Sequence, residues 1–145
     1  MVSSLRSRIL GEKKMRIALL AVAGLALAGF LVVAVVLPQM AGAEAREAAQ
    51  ALMAGAEPAK QQVGAAAAKS GKLEGAGAGV KIPPRSDPKY GEMKWVVSEN
   101  GAIRGWNEQN AIEITLMPTL QGGQPGWNCK GYPVSAMPPS CGGRS

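Results

Sequence analysis

Cys129 and Cys141, the only two cysteines of the chain, stand twelve positions apart near its end. Two thiols can form a disulfide, ligate a metal or supply a reactive thiolate. Metal and redox sites usually show C-x-x-C spacing or accompanying histidines, and this sequence contains no histidine. A disulfide between Cys129 and Cys141 is therefore the favoured chemistry, provided that this part of the chain lies in an oxidising compartment.

A long apolar run near the start of the chain indicates in which compartment the two cysteines lie. Residues 17–37, IALLAVAGLALAGFLVVAVVL, contain no charged and no strongly polar side chain. A helix of this length, at about 1.5 Å per residue, spans roughly 30 Å, the thickness of the hydrocarbon core of a bilayer. A buried core helix is the alternative, but a folded part this small could not surround it. The run predicts a transmembrane helix.

Residues 1–16 form a basic segment before this run, with Glu12 as their only acidic residue. Basic segments stay on the cytoplasmic side, so we expect the chain after Pro38 to lie outside. The remainder is nearly balanced in charge and shows no basic stripe interleaved with aromatic residues. Nucleic-acid binding is therefore not expected, although a role in DNA uptake stays open. The basic residues of the segment are Arg6, Arg8, Lys13, Lys14 and Arg16.

A secretory signal peptide is the competing interpretation of the same run. The sequence MAGA, which ends at Ala43, offers the small residues that signal peptidase requires, and Pro38 would break the helix before them. Against cleavage, the apolar run is longer than the usual apolar region of about 7–15 residues. In both cases the rest of the chain reaches an oxidising compartment, which favours the disulfide.

An alanine-rich stretch continues the helix over residues 38–69. Its apolar residues recur at spacings of three and four, as on one face of an amphipathic helix. Gly55 and Pro58 interrupt the pattern and are expected to bend the helix. Residues 70–91 are rich in glycine and proline and predict a loop. The apolar stripe consists of Ala45, Ala49, Leu52, Met53, Ala56, Ala59, Val63 and Ala67.

The remaining residues, 92–145, change to a period of two. Two short strand-like runs flank Asn100-Gly101, a pair that favours a type I′ hairpin turn. The stretch 111–120 alternates apolar and polar residues, and residues 127–130 can form a fourth strand. Consecutive strands with short turns make an antiparallel meander. We therefore predict an α+β fold, in which a long N-terminal helix packs on a four-stranded antiparallel meander that ends in a disulfide loop.

These features together resemble the type IV pilins of Gram-negative bacteria. The segment 45–73, AREAAQALMAGAEPAKQQVGAAAAKSGKL, resembles the membrane-distal half of the pilin helix, and NGAI, from Asn100, resembles the first hairpin. The segment 112–141, IEITLMPTLQGGQPGWNCKGYPVSAMPPSC, resembles the pilin ending, with its Trp-x-Cys and its Pro-x-x-Cys. The resemblance implies a pilin fold, an inner-membrane location with a periplasmic C-terminal domain, or a place in a cell-surface pilus.

The sequence departs from the family at the prepilin cleavage motif. Prepilins carry a glycine before the cut, a phenylalanine after it and a glutamate four residues further on. If Pro38 matches the kink proline of the family, these positions are Arg16, Ile17 and Ala21. We therefore expect that prepilin peptidase does not trim the chain and that the basic start persists.

Two classes of function follow from the resemblance. The chain is either a structural subunit of a type IV pilus or related secretion pseudopilus, or a pilin-fold binding module, tethered or released, that contacts pilins without polymerising. Its expected partners are other pilin or pilus-assembly subunits and the inner membrane. No catalytic residue, cofactor or metal is expected, because no carboxylate is paired with a nucleophile. Tyr90, Trp95 and Trp106 could bind a ligand, but aromatic residues of strands usually pack in cores.

Overall fold

The computed structural model describes residues 2–144, with side chains for residues 11–34 and 42–144. Helix α1 (Val2–Leu31) is followed by a π-helical stretch (Val32–Val36) and by helix α2 (Leu37–Ser70). Two short 3₁₀ turns, Val134–Ala136 and Pro139–Cys141, follow the last strand. The chain divides into two compact units, Met1–Met40 and Ala41–Ser145. The strands are β1 (Arg85–Asp87), β2 (Gly91–Val97), β3 (Ile103–Asn107), β4 (Ile112–Gln121) and β5 (Gln124–Tyr132).

The first unit contains a helix that is long and apolar enough to span a membrane. Its apolar part, Gly11–Ala34, has a mean hydropathy of 2.7. The large side chains of this part are at least half exposed, from 50% at Val32 to 75% at Leu25. Of the basic segment, Arg16 forms an ion pair with Glu12 at 2.8 Å, whereas the side chains of Arg6 and Arg8 are not among the described ones. Pro38 is the second residue of α2 and follows directly after the π-helical stretch.

Helix α2 presents the predicted apolar stripe to the core of the second unit. The side chains of Leu52 and Val63 are fully buried, and the alanines between them occupy the same face. Met53 and Ala45 lie at the margin of the stripe and are only partly buried. The periodicity of the sequence therefore identified the packing face correctly. The helix ends at Ser70, and Gly71 follows in the left-handed conformation with φ +73°.

Helix α2 continues through Gly55 and Pro58, in agreement with the prediction of a helix over residues 38–69. The bend expected at these two residues stays a prediction. Pro58 lacks an N–H and leaves the carbonyl of Ala54 without its helical partner. Ala54 and Pro58 are exposed, so water can replace that hydrogen bond. Gly55 is buried, and its missing side chain makes room for a tryptophan of the sheet. It is a packing position rather than a helix breaker.

The sheet is an antiparallel meander with the strand order β1-β2-β3-β4-β5. The α+β class is confirmed, but the prediction of four strands is wrong, because β1 adds a fifth inside the expected loop. This strand has only three residues, is polar, and follows Pro83-Pro84, so it shows no alternation. It pairs Arg85 with Met93, and a carboxylate oxygen of Asp87 accepts the N–H groups of Lys89 (2.7 Å) and Tyr90 (3.1 Å) in the turn that follows.

The expected type I′ turn at Asn100-Gly101 is also wrong. The connection between β2 and β3 has five residues, and of the central pair only Gly101 has a positive φ, +89°. Ser98 closes the loop: its N–H donates to the carbonyl of Ala102 at 2.8 Å, and its hydroxyl accepts the N–H of Ala102 at 3.0 Å. A serine that bonds the backbone locally replaces the two-residue turn.

One face of the sheet meets the stripe of α2. Ile112, Ile114 and Leu116 point inward from β4, as their alternation predicts, and each is at most 2% exposed. Asn107 is the one polar residue among the fully buried side chains of the described part. Its amide donates to the carbonyls of Tyr90 (2.7 Å) and Glu92 (2.9 Å), and its oxygen accepts two bonds from Asn110. A fully hydrogen-bonded buried amide of this kind ties two turns together.

Candidate functional site

A disulfide joins Cys129 of β5 to Cys141 at the end of the second 3₁₀ turn, with their Cα atoms 4.4 Å apart. Cys129 is paired across the sheet with Leu116. Cys141 is fully buried in the main core cluster, together with Ala136 and Met137 of the enclosed loop. The disulfide loop, residues 129–141, is therefore packed into the core at its far end rather than hanging from the last strand.

The chain leaves the disulfide loop through a tight turn. The carbonyl oxygen of Pro138 accepts the N–H of Cys141 at 2.9 Å and the N–H of Gly143 at 3.0 Å. Gly142 adopts φ +81°, a conformation that side chains rarely take. At Gly143 a side chain would collide with the backbone of Met137. These constraints fix the direction in which the next residue, Arg144, continues.

A pocket of about 270 Å³ lies between this turn and helix α2. Arg46 and Gln50 line it from the helix, one turn apart and therefore on one face. Arg144 lines it from the turn, together with Ser135 and Pro139 of the disulfide loop. We call it the two-arginine pocket.

The arginine on the helix is held against the disulfide loop. The Nε of Arg46 donates to the carbonyl oxygen of Ser135 at 3.4 Å. A guanidinium has five N–H donors, so the four on the terminal nitrogens of Arg46 remain for other partners. Within residues 11–34 and 42–144, neither Arg46 nor Arg144 is part of a salt bridge. The pocket thus combines two positive charges with amide and hydroxyl groups.

A second polar cluster connects the start of the second unit with the turn after β1. Glu47 of α2 accepts hydrogen bonds from the ammonium of Lys89 and, at 2.9 Å, from the hydroxyl of Tyr90. The bond from Lys89 lowers the pKa of Glu47, with the bond from Tyr90 and the charge of Lys89 acting in the same direction. The same bond raises the pKa of Lys89 above its usual 10.5. This exposed cluster can clamp the turn to the helix.

The outer face of the sheet, turned away from α2, carries a bidentate ion pair. Arg104 donates to the two carboxylate oxygens of Glu113 at 2.7 and 3.0 Å. The hydrogen bond from Arg104 lowers the pKa of Glu113. The guanidinium also lies 5.7 Å from the centroid of the Trp106 ring. Glu113 of β4 is the cross-strand partner of Trp106 and lies diagonally across from Arg104, so this arrangement fits ordinary sheet stabilisation.

The three aromatic residues considered as ligand binders are not brought together. Trp95 lies on the inner face, 7% exposed, and its indole N–H donates to the carbonyl of Leu52 at 3.0 Å. Trp106 lies on the outer face, and Tyr90 lies in the turn after β1. Trp95 is thus a core residue, as strand aromatics usually are.

Sequence reasoning missed the two-arginine pocket. The apolar stripe that the sequence predicts leaves Arg46 on another face of the helix, and no motif includes Arg144. The two residues are far apart in the chain, and no local pattern of residue types relates them. In the part of the chain that the structure describes, no group of three or more histidine, cysteine, aspartate or glutamate residues is arranged to hold a metal ion.

Comparison with known protein families, with characterised proteins and with solved structures finds no match for this chain. The resemblance to pilins therefore depends on the sequence motifs themselves.

Proposed function

We propose that this chain is a pilin-like membrane protein of a type IV pilus or a related secretion system. In this proposal the apolar helix provides the attachment, to the bilayer or to the helices of neighbouring subunits. The unit Ala41–Ser145 is then presented outside the cytoplasm. The observation that carries the proposal is an apolar helix with exposed side chains in a chain whose second unit builds its core from other residues.

The contrast between the two units supports this assignment. Both core clusters of the second unit consist of residues from Ala45 onward. The large apolar side chains of residues 15–33 are 50–75% exposed. Burying a fully exposed side chain of this kind contributes about 1.5–3 kcal/mol. Since these eleven are on average about two-thirds exposed, their transfer to lipid contributes on the order of 10–20 kcal/mol. They are Met15, Ile17, Leu19, Leu20, Val22, Leu25, Leu27, Phe30, Leu31, Val32 and Val33.

The charge distribution gives the proposed orientation. Five basic residues precede the apolar run, and basic flanks stay cytoplasmic. The second unit then lies in the periplasm or on the cell surface, where the disulfide of Cys129 and Cys141 persists. An amphipathic helix on an antiparallel sheet, closed by a C-terminal disulfide, agrees with the architecture that the resemblance implies.

The residues at the cleavage motif favour a second candidate, a tethered module that contacts pilins without polymerising. Arg16, Ile17 and Ala21 stand where prepilins have glycine, phenylalanine and glutamate. An untrimmed chain keeps its basic segment, and like charges would repel one another in the apolar core of a filament. In this form the protein joins pili rarely or not at all.

The N-terminal residue of the protein purified from its native cells separates these candidates. A start at Met1 or Met15 in the membrane fraction supports the tethered module, and a start at Glu44 supports release by signal peptidase. A start at or near Ile17 in abundant sheared filaments supports a conventional subunit. Absence from the membrane fraction, with the intact chain found only in the cytoplasm, contradicts the proposal as a whole.

A variant with a restored motif provides the matched comparison. The triple substitution Arg16→Gly, Ile17→Phe and Ala21→Glu should make the chain a substrate of prepilin peptidase in a strain that produces pili. Ala21→Glu alone lacks the cleavage glycine and is the control that should stay untrimmed. If the triple variant is still not trimmed, the proposed alignment with prepilins is wrong.

A further inference from the structure

The two-arginine pocket brings two positive charges to one cavity of the second unit, and neither arginine is part of a salt bridge within residues 11–34 and 42–144. Arg46 and Arg144 both line it, and no carboxylate is among its lining residues. We propose that this pocket binds a phosphate group.

The geometry favours phosphate over a carboxylate. One guanidinium can satisfy both oxygens of a carboxylate through two parallel N–H···O bonds. A phosphate monoester has three oxygens that accept hydrogen bonds and about −1.5 to −2 charges at neutral pH, which two guanidinium groups match. The amide of Gln50, one helical turn from Arg46, and the hydroxyl of Ser135 can supply additional donors.

The two arginines of the pocket come from different elements, Arg46 from helix α2 and Arg144 from the turn after the disulfide loop. Arg46 is positioned by helix α2 and by its bond to the carbonyl of Ser135. The backbone that leads to Arg144 is fixed by the turn in which the carbonyl of Pro138 accepts the N–H groups of Cys141 and Gly143. The disulfide fixes Cys141 within that turn, so the pocket depends on the disulfide loop that the sequence singled out. This role is independent of whether the chain polymerises.

The test uses the full chain in maltoside micelles, which contain no phosphate. Sodium phosphate is titrated at constant ionic strength, and the Nε–Hε signals of Arg46 and Arg144 are followed by NMR. We expect saturable shifts of both signals. The double variant Arg46→Gln, Arg144→Gln should lose about tenfold or more in affinity, because it loses both charge-assisted partners. Lys72→Gln, which removes an exposed charge elsewhere, should bind as the parent chain does.

Three further measurements control for folding, for the chemistry of the ligand and for its source. The unfolding midpoint of the double variant should equal that of the parent chain, so that lost binding is not lost folding. Sodium acetate should bind at least about tenfold more weakly than phosphate. Dihexanoyl phosphatidic acid, a phosphate monoester, below its micellar concentration distinguishes the source: tighter binding than inorganic phosphate indicates a lipid headgroup, and weaker binding indicates a free phosphate. Equal affinity for acetate, or unchanged phosphate binding in the folded double variant, overturns the proposal.

Discussion

Two glycines on the buried face of α2 form a matched pair for testing how closely the helix packs on the sheet. At Gly55 an added Cβ would lie 2.9 Å from Cη2 and 3.2 Å from Cε2 of the Trp95 ring. At Gly64 it would lie 3.7 Å from the side chain of Pro125, which is ordinary contact. Trp95 cannot retreat into the sheet, because its cross-strand partner Gly105 leaves no space on that side.

The expected magnitudes have opposite signs. Alanine in place of glycine within a helix contributes about 0.8–1.0 kcal/mol, so Gly64→Ala should raise the free energy of unfolding by about 1 kcal/mol. At Gly55 overpacking costs about 1–3 kcal/mol. A displaced indole also loses its bond to the carbonyl of Leu52, worth about 0.5–1.5 kcal/mol. These two losses add to about 1.5–4.5 kcal/mol, and the higher helix propensity of alanine offsets about 1 kcal/mol of them. Gly55→Ala should therefore lower the free energy of unfolding by about 0.5–3.5 kcal/mol.

The assay is urea unfolding of the full chain in neutral detergent, followed by tryptophan fluorescence. The three tryptophans, Trp95, Trp106 and Trp127, all lie in strands, so the signal reports the second unit and not the apolar helix. The two variants are compared by the difference between their free energies of unfolding. Each value is extrapolated to zero urea, and because the extrapolation error is similar for both, it largely cancels in the difference.

One result would refute the reasoning. If Gly55→Ala stabilises the protein to the same extent as Gly64→Ala, then the helix does not approach the Trp95 ring as described. A double variant of Gly55→Ala with Trp95→Phe checks the cause. The smaller ring should recover part of the loss if steric conflict with the indole is responsible.

Three further predictions concern the disulfide, the polar clamp and the second unit. Cys141→Ser should lower the free energy of unfolding by about 3 kcal/mol, the chain-entropy value for a loop of this size, and mass analysis of the unreduced parent chain should show no free thiol. Two free thiols in the native protein would contradict the pairing. The pKa of Glu47 is lowered in the folded state from its usual 4.5, so its contribution to stability is present above that pH and is lost as the pH falls below it. Glu47→Gln should remove this part of the acid dependence in unfolding experiments, and an unchanged pH profile would count against the clamp. A chain starting at Glu44 should fold alone as a helix on a sheet, since both core clusters lie beyond that point. In it, Leu52→Asp should abolish folding because of the unpaired buried charge, whereas Ala54→Asp on the exposed side should be tolerated; circular dichroism showing a disordered parent fragment would contradict the architecture.

The local repeats of the sequence were sufficient to identify the main elements. The apolar run of residues 17–37, the stripe from Ala49 to Ala67 and the alternation from Ile112 to Leu116 each depend on the period of one element. A helix or strand that buries one face must repeat apolar residues with its own period. This period is visible in the sequence even when the element that packs against that face is unknown. The α+β class and the packing face of α2 followed from these patterns.

Short and irregular elements show no such period of apolar residues, so the sequence did not predict them. Strand β1 has three residues and depends on pairing with β2 rather than on its own alternation. The loop after β2 depends on the hydroxyl of Ser98, which competes with the turn that Asn100-Gly101 favours. In both places a contact made in the folded structure outweighed a local preference.

Contacts between distant residues were decided by the tertiary structure alone. Gly55 resembles a helix breaker in sequence, but in the fold it accommodates Trp95, forty positions away. Arg46 resembles a solvated residue of a helix surface, yet it shares a pocket with Arg144. The sequence determines which residues must be buried because burial repeats along each element. The sequence does not show which elements face each other, since these contacts depend on how the helix packs on the sheet around the shared core.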